Sequence, residues 1–384
     1  MTGRLLLDLT HTSHTRARTG IQRVVRALHR ELGDAALAVT FDPYLGGWRP
    51  LEAWEQANLG SEAPAGKRGA QWPWTARLRG RWRRATGHAV VLPEAAEGFL
   101  TAELFSPAVG ANLPRATPRV AVFHDAIALR FPELSPAGTV ARFPGYLHEL
   151  LTFDGIAAVS EDSRAALVDY WRWLGAAQTP PVVAIPLGVD PVAPAASTGP
   201  AALPVVLSVG TLEGRKNHAA LLEACEQLWA RGEKFQLRLA GAVQAQTGRA
   251  ALARLRTLQA AGRPLRYDGP LADAALAAAY AECAFTVYPS IAEGFGLPVI
   301  ESLAHGRPCV CSARGALGEL SLLGGCVPLA SVDAASLAAA IAELLASPAE
   351  RARLAADAQA RKFKRWNEYA RELTTWMRTL RRAS

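Results

Sequence analysis

Cysteine is scarce, with five residues in a chain of 384, Cys225, Cys283, Cys309, Cys311 and Cys326. The count is odd and shows no CxxC pair or Cys/His finger spacing, which argues against a disulfide framework and a structural zinc site. Most of these thiols are expected to be small buried apolar groups. No run of about 18 uncharged apolar residues occurs, so no membrane span is expected. The opening MTGRLLLDLT lacks a basic segment followed by a long apolar one, so no signal peptide is expected and the protein is placed in the cytoplasm. A GxGxxG fingerprint after the first apolar run is also missing, which weighs against a nicotinamide-dependent dehydrogenase. No internal repeat is visible, which disfavours a solenoid.

What is present describes an ordinary packed chain, 50% hydrophobic and 20% charged. Its length exceeds one compact core and suits two α/β domains of roughly 150 to 200 residues each, and two domains imply a cleft. Lys and Arg number 42 against 34 Asp and Glu, a net charge of +8 that leaves lipid, nucleic acid and nucleotide open as anionic partners. The positive charge gathers in two segments and not along a reading helix, so no nucleic-acid partner is expected. A basic nucleic-acid-binding protein with a nucleotide-like fold is still carried as the non-transferase alternative.

Apolar runs LLLDL (5–9), RVAVF (119–123), GIAAV (155–159), PVVLSV (204–209) and FTVY (285–288) alternate with helical patterns, the signature of parallel sheets. After the first run, Ile21, Val24, Val25, Leu28 and Leu32 share one helical face, with Thr19 placed as N-cap. DPVAPAASTGPAALP (190–204) has no apolar period and reads as a connection, with a boundary near residue 200.

The most informative stretch is PSIAEGFGLPVIESLAHG (289–306), which follows an apolar run. Gly294 and Gly296 allow close backbone approach to a ligand, and Pro298 at the expected first helical position starts a helix whose free N–H groups suit a phosphate. Glu293 and Glu301, with seven residues between them, can accept hydrogen bonds from hydroxyls on either side of such phosphates, as in a sugar nucleotide. In SVGTLEGRKNH (208–218), Gly210 follows a strand and Arg215 and Lys216 precede a helix that Asn217 could cap. Two such cations can stabilise a departing diphosphate without a metal ion.

With these motifs the sequence resembles the retaining glycosyltransferases of family 4, whose C-terminal domain carries an EGFGLP segment and a second Glu at this spacing. The resemblance implies an α/β GT-B fold, two Rossmann-like domains facing each other across a cleft. It assigns residues 1–195 to an acceptor-side domain, 200–365 to a donor domain and 366–384 to a terminal helix returning to the first. It implies that Glu293 addresses hydroxyls of the transferred sugar, that Glu301 holds the nucleotide ribose, and that backbone around Gly294, Phe295, Gly296 and Leu297 meets the donor. Arg215 and Lys216 would meet the diphosphate. Looser likeness runs through FHDAIALRFPEL (123–134), AAVSEDSRAALVDYW (157–171) and AIPLGVD (184–190), and it suggests that His124, at a strand end, faces the donor sugar.

The first loop, THTSHTRARTGIQRV, departs from the paired glycines common in the family; Gly20 and Ile21 can still offer N–H groups to phosphates, whereas His11, His14, Arg16 and Arg18 gain no assignable role. KRGAQWPWTARLRGRWRRATGH (67–88) holds seven Lys or Arg, no acid, and Trp72, Trp74 and Trp82. That mixture suits an anionic membrane surface or a lipid-linked diphosphate acceptor, while a solvated basic helix with inward tryptophans is equally consistent with it and a nucleic-acid patch is a third reading. Near the end, Trp366, Tyr369, Leu373, Trp376 and Leu380 recur at helical spacing and suit core packing.

The function expected is glycosyl transfer with retention from a nucleotide diphosphate sugar to a saccharide or lipid-linked saccharide hydroxyl in bacterial polysaccharide synthesis. GDP-mannose is the donor named, with UDP-sugars and dTDP-rhamnose left open. No cofactor and no metal are expected, and any membrane contact would be peripheral, at the inner face.

Overall fold

The computed structural model of the chain describes residues 3–16, 19–60, 71–88, 92, 96–105, 107–190 and 203–380. Most of the 190–204 connection and the boundary near 200 lie outside the described residues, as do Arg18, Lys67 and Arg68. The strands are β1 (Leu5–Asp8), β2 (Ala36–Asp42), β3 (Gly47–Pro50), β4 (Phe99–Thr101), β5 (Arg119–Phe123), β6 (Gly155–Ala158), β7 (Val182–Ala184), β8 (Val205–Val209), β9 (Gln236–Ala240), β10 (Leu265–Tyr267), β11 (Phe285–Tyr288), β12 (Cys309–Ser312) and β13 (Cys326–Leu329). The helices are α1 (Gly20–Leu32), α2 (Ala53–Gly60), α3 (Trp74–Ala85), α4 (Pro107–Gly110), α5 (Ile127–Arg130), α6 (Ala137–Glu149), α7 (Glu161–Leu174), α8 (His218–Ala230), α9 (Arg249–Ala260), α10 (Asp273–Glu282), α11 (Leu297–Ala304), α12 (Gly315–Ser321), α13 (Ala334–Ala346), α14 (Pro348–Ala360) and α15 (Trp366–Leu380).

The chain divides into two compact bodies, one of Met1–Asp125, Arg142–Gly188 and Arg365–Ser384, the other of Ala126–Ala141 and Val189–Lys364. Among the described residues the first carries a sheet in the order β3-β2-β1-β4-β5-β6-β7, parallel except where β3 pairs antiparallel with β2. The second carries the order β10-β9-β8-β11-β12-β13, parallel throughout. Strands such as LLLD and FTVY are wholly apolar or nearly so because helices cover both faces.

In the second body, Val206 packs into one cluster with Leu221, Leu228, Phe285, Leu337 and Ile341, from α8, β11 and α13. The next residue, Leu207, packs into another with Tyr280 and Cys283. Successive strand residues face opposite sides, so these clusters lie on the two faces of the sheet. Each buried Leu, Ile or Phe contributes about 1.5–3 kcal/mol. All five cysteines are buried thiols.

The topology fixes where loops meet. Strand β8 lies between β9 and β11, so the connections leaving the carboxyl ends of β8 and β11 start side by side at the sheet's switch point. In the first body β1 lies likewise between β2 and β4.

Helix α1 begins where Thr19 stands as N-cap, and the Gln22 side chain reaches back to accept from the Thr19 N–H at 2.9 Å. Helix α15 packs within the first body, with Trp366, Tyr369, Leu373 and Met377 buried. A Cβ on Gly155 of β6 would lie 2.6 Å from Leu380 and 2.8 Å from Trp376, so only glycine lets α15 sit so close to that strand.

Candidate active site

In the second body the β8 connection runs through Gly210 and a short turn at Gly214–Lys216 into α8, and the β11 connection runs through Glu293 into α11. The two are stitched together where the Ile291 N–H donates to the Arg215 carbonyl at 2.8 Å. Arg215 Nη1 donates to Glu293 Oε2 at 2.7 Å and to the Ala292 carbonyl at 3.3 Å, and its Nη2 lies 2.9 Å from Glu213 Oε1. Lys216 Nζ lies 2.6 Å from Glu293 Oε1 as an ion pair. Lys216 also donates to the Tyr288 hydroxyl.

Glu293 and Lys216 are buried, with side chains 7% and 9% exposed. Burial raises the Glu293 pKa, but Arg215 and Lys216 outweigh it and hold the carboxyl at about 2. Burial likewise pulls the Lys216 ammonium below its ordinary value while Glu293 pulls it back. Arg215 and Lys216, expected as cations open to a phosphate, are thus paired already, with Glu293 and Glu213.

Glu301 stands one turn into α11 and is buried, its Oε2 accepting from the Tyr280 hydroxyl at 3.1 Å; Tyr280 in turn stacks on His305 at 4.9 Å. The helix begins at Leu297, so Pro298 occupies the second helical position and not the first, and Gly296 is the N-cap at φ 106°. A Cβ at Gly296 would meet Leu317 at 2.7 Å in addition to the backbone strain. The Phe295 and Leu297 side chains are buried. Asn217 occupies the N-cap of α8 in the left-handed region, but its side chain donates to the Val332 carbonyl at 2.8 Å instead of capping. The Gly210 N–H donates to the Ala240 carbonyl at 2.8 Å.

Sequence reasoning missed His218, Tyr288 and Tyr280. His218, adjacent to the RKN run, could have been flagged by position alone. Its Nδ1 is buried without a partner, and burial, with Lys216 nearby, lowers its pKa to about 3. The unfolded chain therefore binds one more proton as pH falls below 6.5, and stability present above that value is lost toward pH 3. We predict that His218→Leu removes about 2 kcal/mol of the stability change between pH 7 and pH 5, at roughly 1.4 kcal/mol per pH unit. Denaturant melts of both proteins at the two pH values check this; equal pH slopes would show that His218 is not held neutral.

In the first body His124 follows β5, buried, with Nε2 2.7 Å from the Ala102 carbonyl. A carbonyl only accepts, so the proton sits on Nε2 and the lone pair on Nδ1. Burial lowers the His124 pKa and favours this neutral form. Gly20 opens α1 with nothing within 4 Å of an added Cβ, and half-buried Ile21 follows. The loop after β1 is tied to the residue beyond β4, the His11 and Thr12 N–H groups donating to Glu103 at 2.5 and 2.6 Å.

His14 has a structural role that the sequence did not reveal. It is buried, with Nε2 2.7 Å from Glu55, which also takes two hydrogen bonds from Arg49 at 2.7 and 2.9 Å. The ring lies 4.1 Å from Trp72 and 5.4 Å from Trp54, so Trp72 packs inward. His11 Nδ1 lies 3.3 Å from the Gln22 amide, and Arg16 donates to Asn58 at 3.3 Å.

A family model for glycosyl transferases group 1 matches residues 194–361. The serotype-specific mannosyltransferase WbdA of Escherichia coli is 30% identical over 330 residues, 80% of this chain and 38% of the relative. The O-antigen chain mannosyltransferase B of Escherichia coli is 30% identical over 216 residues, 52% of this chain and 54% of that one. The chain thus spans well under two thirds of the length of these relatives. Among solved structures, a sucrose-phosphate synthase of Thermosynechococcus elongatus superposes with a TM-score of 0.71 at 21% identity, covering all of both chains. Anabaena HepE in complex with UDP and glucose superposes with a TM-score of 0.71 at 16% identity, covering 98% of this chain and 100% of that one. These likenesses set the fold as the GT-B fold expected from the sequence. Residues 194–361 thus match the group 1 glycosyl transferase model, within a chain of GT-B fold.

Proposed function

We propose that the chain is a retaining glycosyltransferase of bacterial surface-polysaccharide synthesis that takes its sugar from a nucleotide diphosphate donor. The observation that carries this reading is the group of buried Glu293 and Lys216 with half-buried Arg215, at the switch point of the sheet in the region that matches the group 1 model. The bond from the anomeric carbon to the diphosphate breaks, its electron pair leaving with the phosphate oxygen, and the acceptor oxygen bonds to that carbon on the same face. The departing phosphate oxygen takes the acceptor proton, so no enzymic nucleophile is needed. Arg215 and Lys216 stabilise the charge that grows on the diphosphate, Glu293 accepts from sugar hydroxyls, and Glu301 accepts from the ribose.

Mannose from GDP-mannose is the donor best supported, through the mannosyltransferase relatives. A UDP-sugar is the second reading, favoured by the structural likeness to HepE, which was solved with UDP and glucose. Among the described residues no helix is long and apolar enough to cross a membrane, and action at the cytoplasmic side remains part of the proposal.

Thermal melts with GDP, UDP, dTDP and their sugars test the donor, since a ligand that binds only the native state raises the midpoint. No shift with any of them would remove the reading. For the same site, Glu301→Ala is expected to weaken nucleotide binding about tenfold to a hundredfold, the loss of a charge-assisted hydrogen bond of about 1.5–3 kcal/mol. Calorimetric titration of the folded variant checks this, and unchanged affinity would take Glu301 out of the donor site.

A further inference from the structure

We infer that helix α3 docks the first body onto an anionic lipid surface through an exposed Trp74, Leu78 and Trp82 ridge flanked by arginines. These side chains are 71%, 53% and 57% exposed, and their i, i+4, i+8 spacing places them in one row. Ala76 and Gly80 are the helix's buried residues and lie on its opposite side. The buried edge is tight, since a Cβ on Gly80 would lie 2.8 Å from the Tyr44 Cβ, so the ridge is presented by a fixed helix. Trp82 is further held by stacking on His88 at 5.1 Å.

The helix carries Arg77, Arg79, Arg81, Arg83 and Arg84 and no acid. Arg79 and Arg83 both reach Glu52, and Arg77 and Arg81 lie 6.0 and 5.6 Å from the Tyr44 ring centre. One carboxylate cannot neutralise five guanidiniums, so the ridge sits in a positive field. Three apolar side chains fall far short of the roughly 20 residues a side of a stable protein interface. Lipid suits both features, because tryptophan favours the headgroup level and arginine pairs with phosphate. The docking does not depend on which sugar, if any, is transferred.

Sedimentation with phosphatidylcholine vesicles, with and without phosphatidylglycerol, tests the proposal. Wild type is expected to bind the anionic vesicles at least tenfold better, with the difference fading as salt shortens the Debye length from about 10 Å at 0.1 M to about 3 Å at 1 M. Trp74→Ser, Leu78→Ser and Trp82→Ser together should lose that binding, and Arg81→Gln with Arg84→Gln should flatten its salt dependence. Acyl chains brominated near the headgroup should quench tryptophan emission of bound wild-type protein, a readout that needs no variant. Equal binding to both vesicle types, a triple variant that binds like wild type, unquenched emission in the bound protein, or a preference for RNA over anionic vesicles would each overturn the proposal.

Discussion

Replacing Arg215 and Lys216 together by alanine is expected to lower kcat by about a thousandfold or more, while nucleotide affinity falls far less. Removing a single donor to developing oxyanion charge commonly costs about a hundredfold to a thousandfold, and two residues that act as a unit do not add simply. In the resting site both cations are held by Glu293, and Arg215 also by Glu213, so much of the gain from meeting a bound diphosphate is offset by loosening those pairs. That gain grows as the glycosidic bond breaks and charge gathers on the leaving oxygen, which places the effect in kcat. With the charge met in this way, turnover by wild type should be the same with EDTA as with added Mg²⁺ or Mn²⁺. A double variant that loses only affinity, or an EDTA inhibition reversed by either ion, would sink this account.

The parts of the site that depend on local backbone chemistry were legible in the sequence. Glu293, Gly296 and Glu301 lie within nine residues, and Arg215 and Lys216 within one turn, so motif spacing found them. What remained hidden depends on which strands become neighbours. Lys216 meets Tyr288 across 72 residues of chain because β8 and β11 pair, and nothing near either residue announces that pairing. Tyr280 reaches Glu301 from α10, and His14 finds Glu55 across 41 residues, for the same reason. Gly210, expected from its place after a strand to meet the donor, is itself closely approached by Gly241, whose added Cβ would lie 1.9 Å from the Gly210 oxygen, a contact between loops that no local motif announces. The basic tryptophan segment admits a membrane-facing, an inward-packed and a nucleic-acid reading from sequence. Trp72 packs inward while Trp74 and Trp82 face out, a split that depends on which face α3 lays against Tyr44.

Glu293→Gln is expected to cost about 3 kcal/mol of stability at neutral pH besides lowering turnover, and the cost should vanish in acid. The carboxyl has an ordinary value near 4.5 and is held at about 2 in the fold, a difference worth roughly 3 kcal/mol at about 1.4 kcal/mol per unit. Breaking a buried pair by removing one partner typically costs about 3–5 kcal/mol, and this figure sits at the low end of that range, as suits a pair whose Arg215 side chain is 24% exposed. The folded pKa is depressed, so the contribution is complete above 4.5 and is lost as pH falls through the window toward 2, where wild type is itself protonated. The stability difference between wild type and variant should therefore be constant from pH 7 to pH 5 and shrink steadily below it. His218 cancels from that difference down to about pH 5, where it is neutral in both folded proteins; below it, loss of the Glu293 charge that raises its pKa adds a His218 contribution, which a His218→Leu background in both proteins removes. In the variant Arg215 and Lys216 lack their shared counter-charge, so inorganic pyrophosphate should raise its melting point more than it raises that of wild type. Chemical melts across pH and thermal melts with pyrophosphate measure both effects. A stability difference unchanged down to pH 2 would show that Glu293 is not held ionised by these cations, and equal pyrophosphate shifts would show that they do not face the diphosphate.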